Sequence, residues 1–210
     1  MGYMDAIGRF LISLYSLLFP PTDTARVVEQ SSLESLGLLV SPLTIAEHSV
    51  ALLPYRHTLV RALIIETKFH KNQKAIGLFA EILAEYLHSF IEDRASFTKT
   101  AYVLVPIPLA PLRQKERGYN QIEEVIKKTT LPYDGSVLER VRETKPQTSL
   151  RREARLQNIM GAFRVCKPLT KEVVYIVVDD VTTTGATLLE ACAELRKAGA
   201  TEVYGIALAH

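Results

Sequence analysis

Between Val173 and Thr187 the chain reads Val-Val-Tyr-Ile-Val-Val-Asp-Asp-Val-Thr-Thr-Thr-Gly-Ala-Thr, and few folds can hold residues in that order. The apolar run ending at Val178 is what a strand buried on both faces requires. Two carboxylates follow at once, so Asp179 and Asp180 are predicted at the carboxyl end of a central strand. Thr182, Thr183, Thr184 and Thr187 then offer hydroxyls. Gly185 lets the backbone turn tightly into a helix that opens at Ala186 and turns Leu188, Leu189, Cys192 and Leu195 inward. Such a turn is a phosphate cradle, because N–H groups at a helix N-terminus and nearby hydroxyls both favour an anion. A buried strand with an ordinary capped helix explains the valines and one threonine. It does not explain paired acids and three further threonines. Carboxylates beside nucleotide phosphates would repel them, so a sugar is expected between, its hydroxyls held by Asp179 and Asp180 and its 5-phosphate in the turn of Thr182, Thr183, Thr184, Gly185, Ala186 and Thr187.

The run from Ile176 to Thr187 resembles the phosphoribosyl pyrophosphate (PRPP) motif of type I phosphoribosyltransferases. The resemblance implies an α/β chain with the type I phosphoribosyltransferase fold, a central parallel sheet flanked by helices and a small N-terminal hood. It implies transfer of phosphoribose from PRPP to a nitrogen acceptor, a base or ammonia, with release of pyrophosphate. Mg²⁺ is the implied cofactor, touching Asp179 and Asp180 directly or through water. Bond breaking at the anomeric carbon builds positive charge on the sugar, as in glycoside hydrolysis, so carboxylates are suited to the site and no covalent nucleophile is needed.

A second strand, Ala101 to Val105, ends in Pro106-Ile107-Pro108-Leu109, which cannot continue a sheet ladder. Ligands of open α/β sheets lie beyond the carboxyl ends of strands, so this turn is expected to share a crevice with Asp179 and Asp180. A basic loop with Arg113, Lys115 and Arg117 follows, then Gly118-Tyr119-Asn120-Gln121 and a helix through Ile122, Val125 and Ile126. Pro106, Ile107, Pro108, Arg113 and Arg117 are the candidates for pyrophosphate. With Arg142, Thr144, Pro146-Gln147, Leu150, Arg155, Asn158 and Ala162-Phe163, these segments resemble the ComF-like, competence-associated branch of the phosphoribosyltransferases. Tyr55, Leu59-Val60 and Lys68-Phe69 echo that branch's upstream helix, so the resemblance covers roughly residues 55 to 210. By analogy, Arg142 to Leu150 is a flexible lid, with Arg142, Thr144, Lys145 and Gln147 in it and Lys145 meeting the pyrophosphate, a catalytic role beside the two aspartates. Many relatives carry a four-cysteine zinc ribbon after a Leu-Phe-Pro-Pro like Leu18 to Pro21. Here no cysteine precedes Cys166, so no zinc is expected.

The rest of the chain is less specific. Its 210 residues, 48% of them hydrophobic, suffice for one core with a small appendage, read as 1–54 for an N-terminal helix and hood-like segment and 55–210 for the phosphoribosyltransferase core. Ile7, Phe10, Leu11, Leu14, Leu17 and Leu18 fall on one helical face, too short a run to span a bilayer. Helices are expected from Tyr55 to Phe69 and from Gln73 to Glu92, with strands at 137–141, beside the sheet, and at 203–208, closing it. Two distant cysteines, Cys166 and Cys192, fit a reducing, cytoplasmic setting. Because ComF-like proteins are associated with DNA uptake, the competing expectation is a PRPP- or nucleotide-sensing competence protein. It would hold single-stranded DNA or uptake machinery on Arg140, Arg142, Lys145, Arg151, Arg152 and Arg155, although acidic residues interleave them. The net charge of +2 is silent on that point, and pattern says nothing of the acceptor or of oligomeric state.

Overall fold

A computed structural model describes residues 22–95, 101–142 and 159–210. The expected helix with Ile7, Phe10, Leu11, Leu14, Leu17 and Leu18 on one face, the lid residues Thr144, Lys145 and Gln147, and Arg151, Arg152 and Arg155 lie outside those residues. Thr22 caps α1 (Asp23–Gln30) and Ser32 caps α2 (Leu33–Gly37), each side chain accepting an N–H from the first helical turn. A hairpin follows, β1 (Leu43–Ala46) and β2 (Ser49–Leu53). Two helices come next, α3 (Thr58–Phe69) and α4 (Gln73–Ala95), then β3 (Ala101–Pro106). After α5 (Pro111–Arg117) and α6 (Gln121–Lys128) come β4 (Leu138–Arg140) and β5 (Phe163–Val165). The described chain ends in β6 (Val173–Val181), α7 (Ala186–Lys197) and β7 (Glu202–Ala209).

The sheet runs β1-β2-β7-β6-β3, with every neighbour parallel except the β1–β2 hairpin. Side chains alternate along β6 as strand geometry demands. Val174, Ile176 and Val178 enter a core built with α1 to α4 and α6, while Tyr175 and Val177 enter a second core with α7 and the small β4–β5 ribbon. Helices therefore cover both faces, as the unbroken valine run requires.

Three expectations need correction. The strand at 137–141 is β4, which pairs antiparallel with β5 in a separate ribbon rather than joining the main sheet. The strand at 203–208 does not close the sheet, because β2 lies outside it, with Ala51 opposite Ala207. Part of the segment assigned to a hood is thus a strand of the central sheet. The basic loop carrying Arg113 and Arg117 is a helix, opened by Pro111 at its first turn and stopped by Gly118 in a left-handed cap at φ 75°. The acids do lie at the carboxyl end of a central strand, since β6 includes both aspartates and ends at Val181, whose register partner is Ala209.

Candidate functional site

The carboxyl ends of β3 and β6 lie side by side, Pro106 opposite Val178, so the two turns leave the same edge of the sheet as neighbours. The same alternation that sorts the valines sorts the acids. Asp180 continues the row of Val174, Ile176 and Val178 towards α3 and α6, and Asp179 continues the row of Tyr175 and Val177. Consequently the two carboxylates are not equivalent. Asp180 is 8% exposed and already held by protein. Its Oδ1 accepts from Lys68 Nζ at 3.0 Å and from the Val181 N–H at 2.6 Å, and its Oδ2 accepts from Gln121 Nε2. Asp179 Oδ1 accepts a local bond from the Asp180 N–H at 2.8 Å. Burial first, then the neighbouring Asp180 carboxylate, push the Asp179 carboxyl up to about 7, against the pull of the Asp180 N–H, Lys68 and Arg140.

The threonine turn divides its labour in a similar way. Thr182 is buried and its Oγ1 accepts the Gly185 N–H at 2.9 Å, so this hydroxyl shapes the turn. Gly185 sits at φ 75° and a Cβ there would meet Ile45 Cγ2 at 2.6 Å, so glycine is favoured on two counts. No side chain caps α7, whose N-terminus opens at Ala186. Thr184 Oγ1 is buried and has no hydrogen-bond partner, while Thr183 is exposed and Thr187 half-buried. An orphaned hydroxyl beside an uncapped helix N-terminus is a place where an anion would satisfy both.

Of the pyrophosphate candidates, Ile107 cannot offer its amide, which donates to Val178 O at 2.9 Å, and Pro106 and Pro108 have none. Arg113 is exposed on α5. Arg117, one turn further on, lies over the Phe69 ring at 5.2 Å and donates to Gln121 Oε1 at 2.8 Å. Arg142, the described part of the expected lid, donates to Met160 O at 2.6 Å.

Sequence reasoning missed the anchoring of Asp180. Tyr119 donates its hydroxyl proton to Thr67 O at 2.7 Å and accepts the Lys71 N–H, tying the start of α6 to the end of α3. Asn120 caps α6 through Ile122 N and Glu123 N, and its amide reaches Ile107 O at 2.9 Å. Gly118-Tyr119-Asn120-Gln121 therefore docks the Pro106 turn, α3 and α6 around one carboxylate. The signal was present in Lys68-Phe69 and Tyr119-Asn120-Gln121, but nothing in spacing tells which acid they serve.

These residues do not fit a divalent metal held by both aspartates. Three of the four lone-pair directions of Asp180 are taken by Lys68, Val181 and Gln121, which leaves that carboxylate little to offer in direct bonds to an ion.

The chain is thus an α/β protein with a carboxylate pair and a threonine–glycine turn at the carboxyl edge of a parallel sheet. It is similar to Competence protein F of Haemophilus influenzae, 35% identical over 60% of this chain and 60% of that protein. It is also similar to Competence protein ComFC of Streptococcus pneumoniae, 32% identical over 62% of this chain and 54% of that protein. The DNA utilization protein YhgH of Escherichia coli is 29% identical over 76% of this chain and 67% of that protein. The ComF-like resemblance is borne out by these relatives, although the chain spans only about 60% of the length of the first of them. A hypoxanthine phosphoribosyltransferase from Staphylococcus aureus superposes with a TM-score of 0.35 and 14% identity, over 63% of this chain and 61% of that one. No family model matches the chain. No helix among the described residues is long and apolar enough to cross a membrane.

Proposed function

We propose that this chain binds PRPP at the carboxyl edge of its sheet and transfers phosphoribose to a nitrogen acceptor. The observation that carries the reading is the turn after β6, where a buried, unpartnered Thr184 hydroxyl sits beside the uncapped start of α7, directly after two acids. Thr183, Thr184, Thr187 and the first amides of α7 take the 5-phosphate. Asp179, with fewer protein contacts than Asp180, takes a ribose hydroxyl, and Asp180 leaves one lone-pair direction for another. Arg113 and the lid residue Lys145 are the cations assigned to the pyrophosphate. In the reaction the bond from the anomeric carbon to pyrophosphate oxygen breaks, its electron pair leaving with pyrophosphate, while the acceptor nitrogen's lone pair forms the new bond and its proton passes to solvent. Carboxylates at the strand end favour the positive charge that develops on the sugar.

The second reading is a competence protein that uses the same pocket to sense PRPP or a nucleotide without turnover, supported by the names of the relatives, Competence protein F, ComFC and DNA utilization protein. One experiment separates them. The protein is incubated with PRPP in magnesium buffer with bases or ammonia, and pyrophosphate is followed. The enzyme reading expects release that needs a particular acceptor and falls roughly 10² to 10³-fold in Asp180→Asn. PRPP binding without release, together with salt-sensitive binding of single-stranded DNA, puts the sensor first. No heat on mixing with PRPP or with any ribose 5-phosphate nucleotide removes both.

A further inference from the structure

Lys68 has no role in the reading of the sequence, yet it makes the ion pair nearest the centre of the site. It leaves the last turn of α3 and places Nζ 3.0 Å from Asp180 Oδ1, in a pair whose side chains are 20% and 11% exposed. The rest of the carboxylate is fixed around this contact. The Val181 N–H takes the other direction of the same oxygen at 2.6 Å, Gln121 Nε2 bonds Oδ2, and Arg117 pins the Gln121 amide by its oxygen at 2.8 Å. Arg117 is itself seated over Phe69, the residue after Lys68, so the two ends of the anchor are joined.

An ammonium on a carboxylate oxygen and a divalent metal on that oxygen are mutually exclusive. A hard dication needs the lone pair that the ammonium uses, at about 2.0–2.1 Å, and the two cations would repel across a few ångströms of poorly solvated space. A neutral hydroxyl has no such conflict and fits the one direction that Oδ2 retains. We propose that Lys68 is a positioning residue that serves as the built-in cation of this site, filling the place on Asp180 that a metal would otherwise take. The free protein then holds no metal at the aspartates. This inference deepens the phosphoribosyl reading and rests on it for the ligand, but its metal half can be measured without any ligand.

The probe is Mn²⁺ alone, its free fraction counted by electron paramagnetic resonance in the presence of the full chain and without PRPP. Wild type is expected to leave Mn²⁺ free, as is Lys68→Arg, which keeps the charge. Lys68→Met is expected to bind one Mn²⁺ per chain, at least about ten-fold tighter than wild type, because a carboxylate freed of its ammonium gains a vacant, partly buried oxygen. Adding Asp180→Asn to Lys68→Met should abolish that binding, which locates the acquired ion. A purely structural lysine would lower the melting temperature of Lys68→Met without creating an ion site. Wild type binding Mn²⁺ as tightly as Lys68→Met, or Lys68→Met acquiring none, overturns the proposal. Should Lys68→Met fail to fold, Lys68→Gln is read by the same two outcomes, and tight binding by wild type is decisive alone. Calorimetry of wild type with PRPP is the separate arm: no heat there removes the phosphoribosyl reading, while the Mn²⁺ result still decides what Lys68 does.

Discussion

Adjacent aspartates on one strand face opposite layers of the protein, and that single fact gives Asp179 and Asp180 different chemistry. Asp180 is the anchored acid, bonded by Lys68, Gln121 and Val181, whereas Asp179 is pushed up to about 7 by burial and by its neighbour. The consequence for stability has a definite sign. Above the ordinary aspartate range and below about 7, the folded chain keeps a proton on Asp179 that the unfolded chain has lost, so stability falls as pH rises through that window and levels off beyond it. Asp179→Asn removes this dependence. Its melting temperature relative to wild type is therefore expected to climb between pH 4 and pH 7.5, and a flat difference would show that Asp179 titrates normally. The groups that bear on it are Asp180, Lys68 and Arg140. The acids and threonines were legible in the sequence because the motif is contiguous. Their inequality was not, because Lys68 and Gln121 lie 112 and 59 positions away from Asp180 and only packing brings them there.

At the scale of elements, the turn from β6 into α7 depends on a glycine that two constraints select. A left-handed backbone costs an L-residue roughly 1–2 kcal/mol, and at Gly185 the added Cβ also meets Ile45 of β1 at 2.6 Å. Gly185→Ala is accordingly expected to lose at least about 1–2 kcal/mol in urea titration and to weaken ligand binding at the turn, since the start of α7 must shift to relieve the contact. Denaturation midpoints equal to wild type would contradict this. The periodicity of α3, α4, α6 and α7 was readable because each buries one apolar face. Two elements were not. α5 buries none of its residues, so a short helix of charged side chains reads as a loop. β4 is a three-residue strand whose apolar letters serve a ribbon packed with α7, and letters alone do not say which sheet a strand joins.

For the molecule as a whole, the sheet is assembled from distant parts of the chain. β2 covers one side of β7, pairing Ser49 with Gly205 and Leu53 with Ala209, and the pairing continues as the Tyr55 N–H donates to His210 O and the His210 N–H to Leu53 O. A chain that starts at Tyr55 would expose the edge of β7 and the apolar face that Leu52 and Leu53 cover, both residues being buried. Such a chain is expected to aggregate and to show no cooperative melt. A sharp transition close to that of the full protein would mean residues 55–210 stand alone as the sequence reading divided them. The pairing of β2 was not legible in the sequence because the segment from Thr22 to Pro54 has neither a strong helical stripe nor a clean alternation, and its strand is recognisable only by the partner it finds. The same pairing also orders events during synthesis. The β1–β2 hairpin leaves the ribosome long before β7 has been made, so the edge of β2 that β7 will cover must wait, unpaired, through most of translation, and a chaperone that shields it would be expected to raise the yield of folded protein.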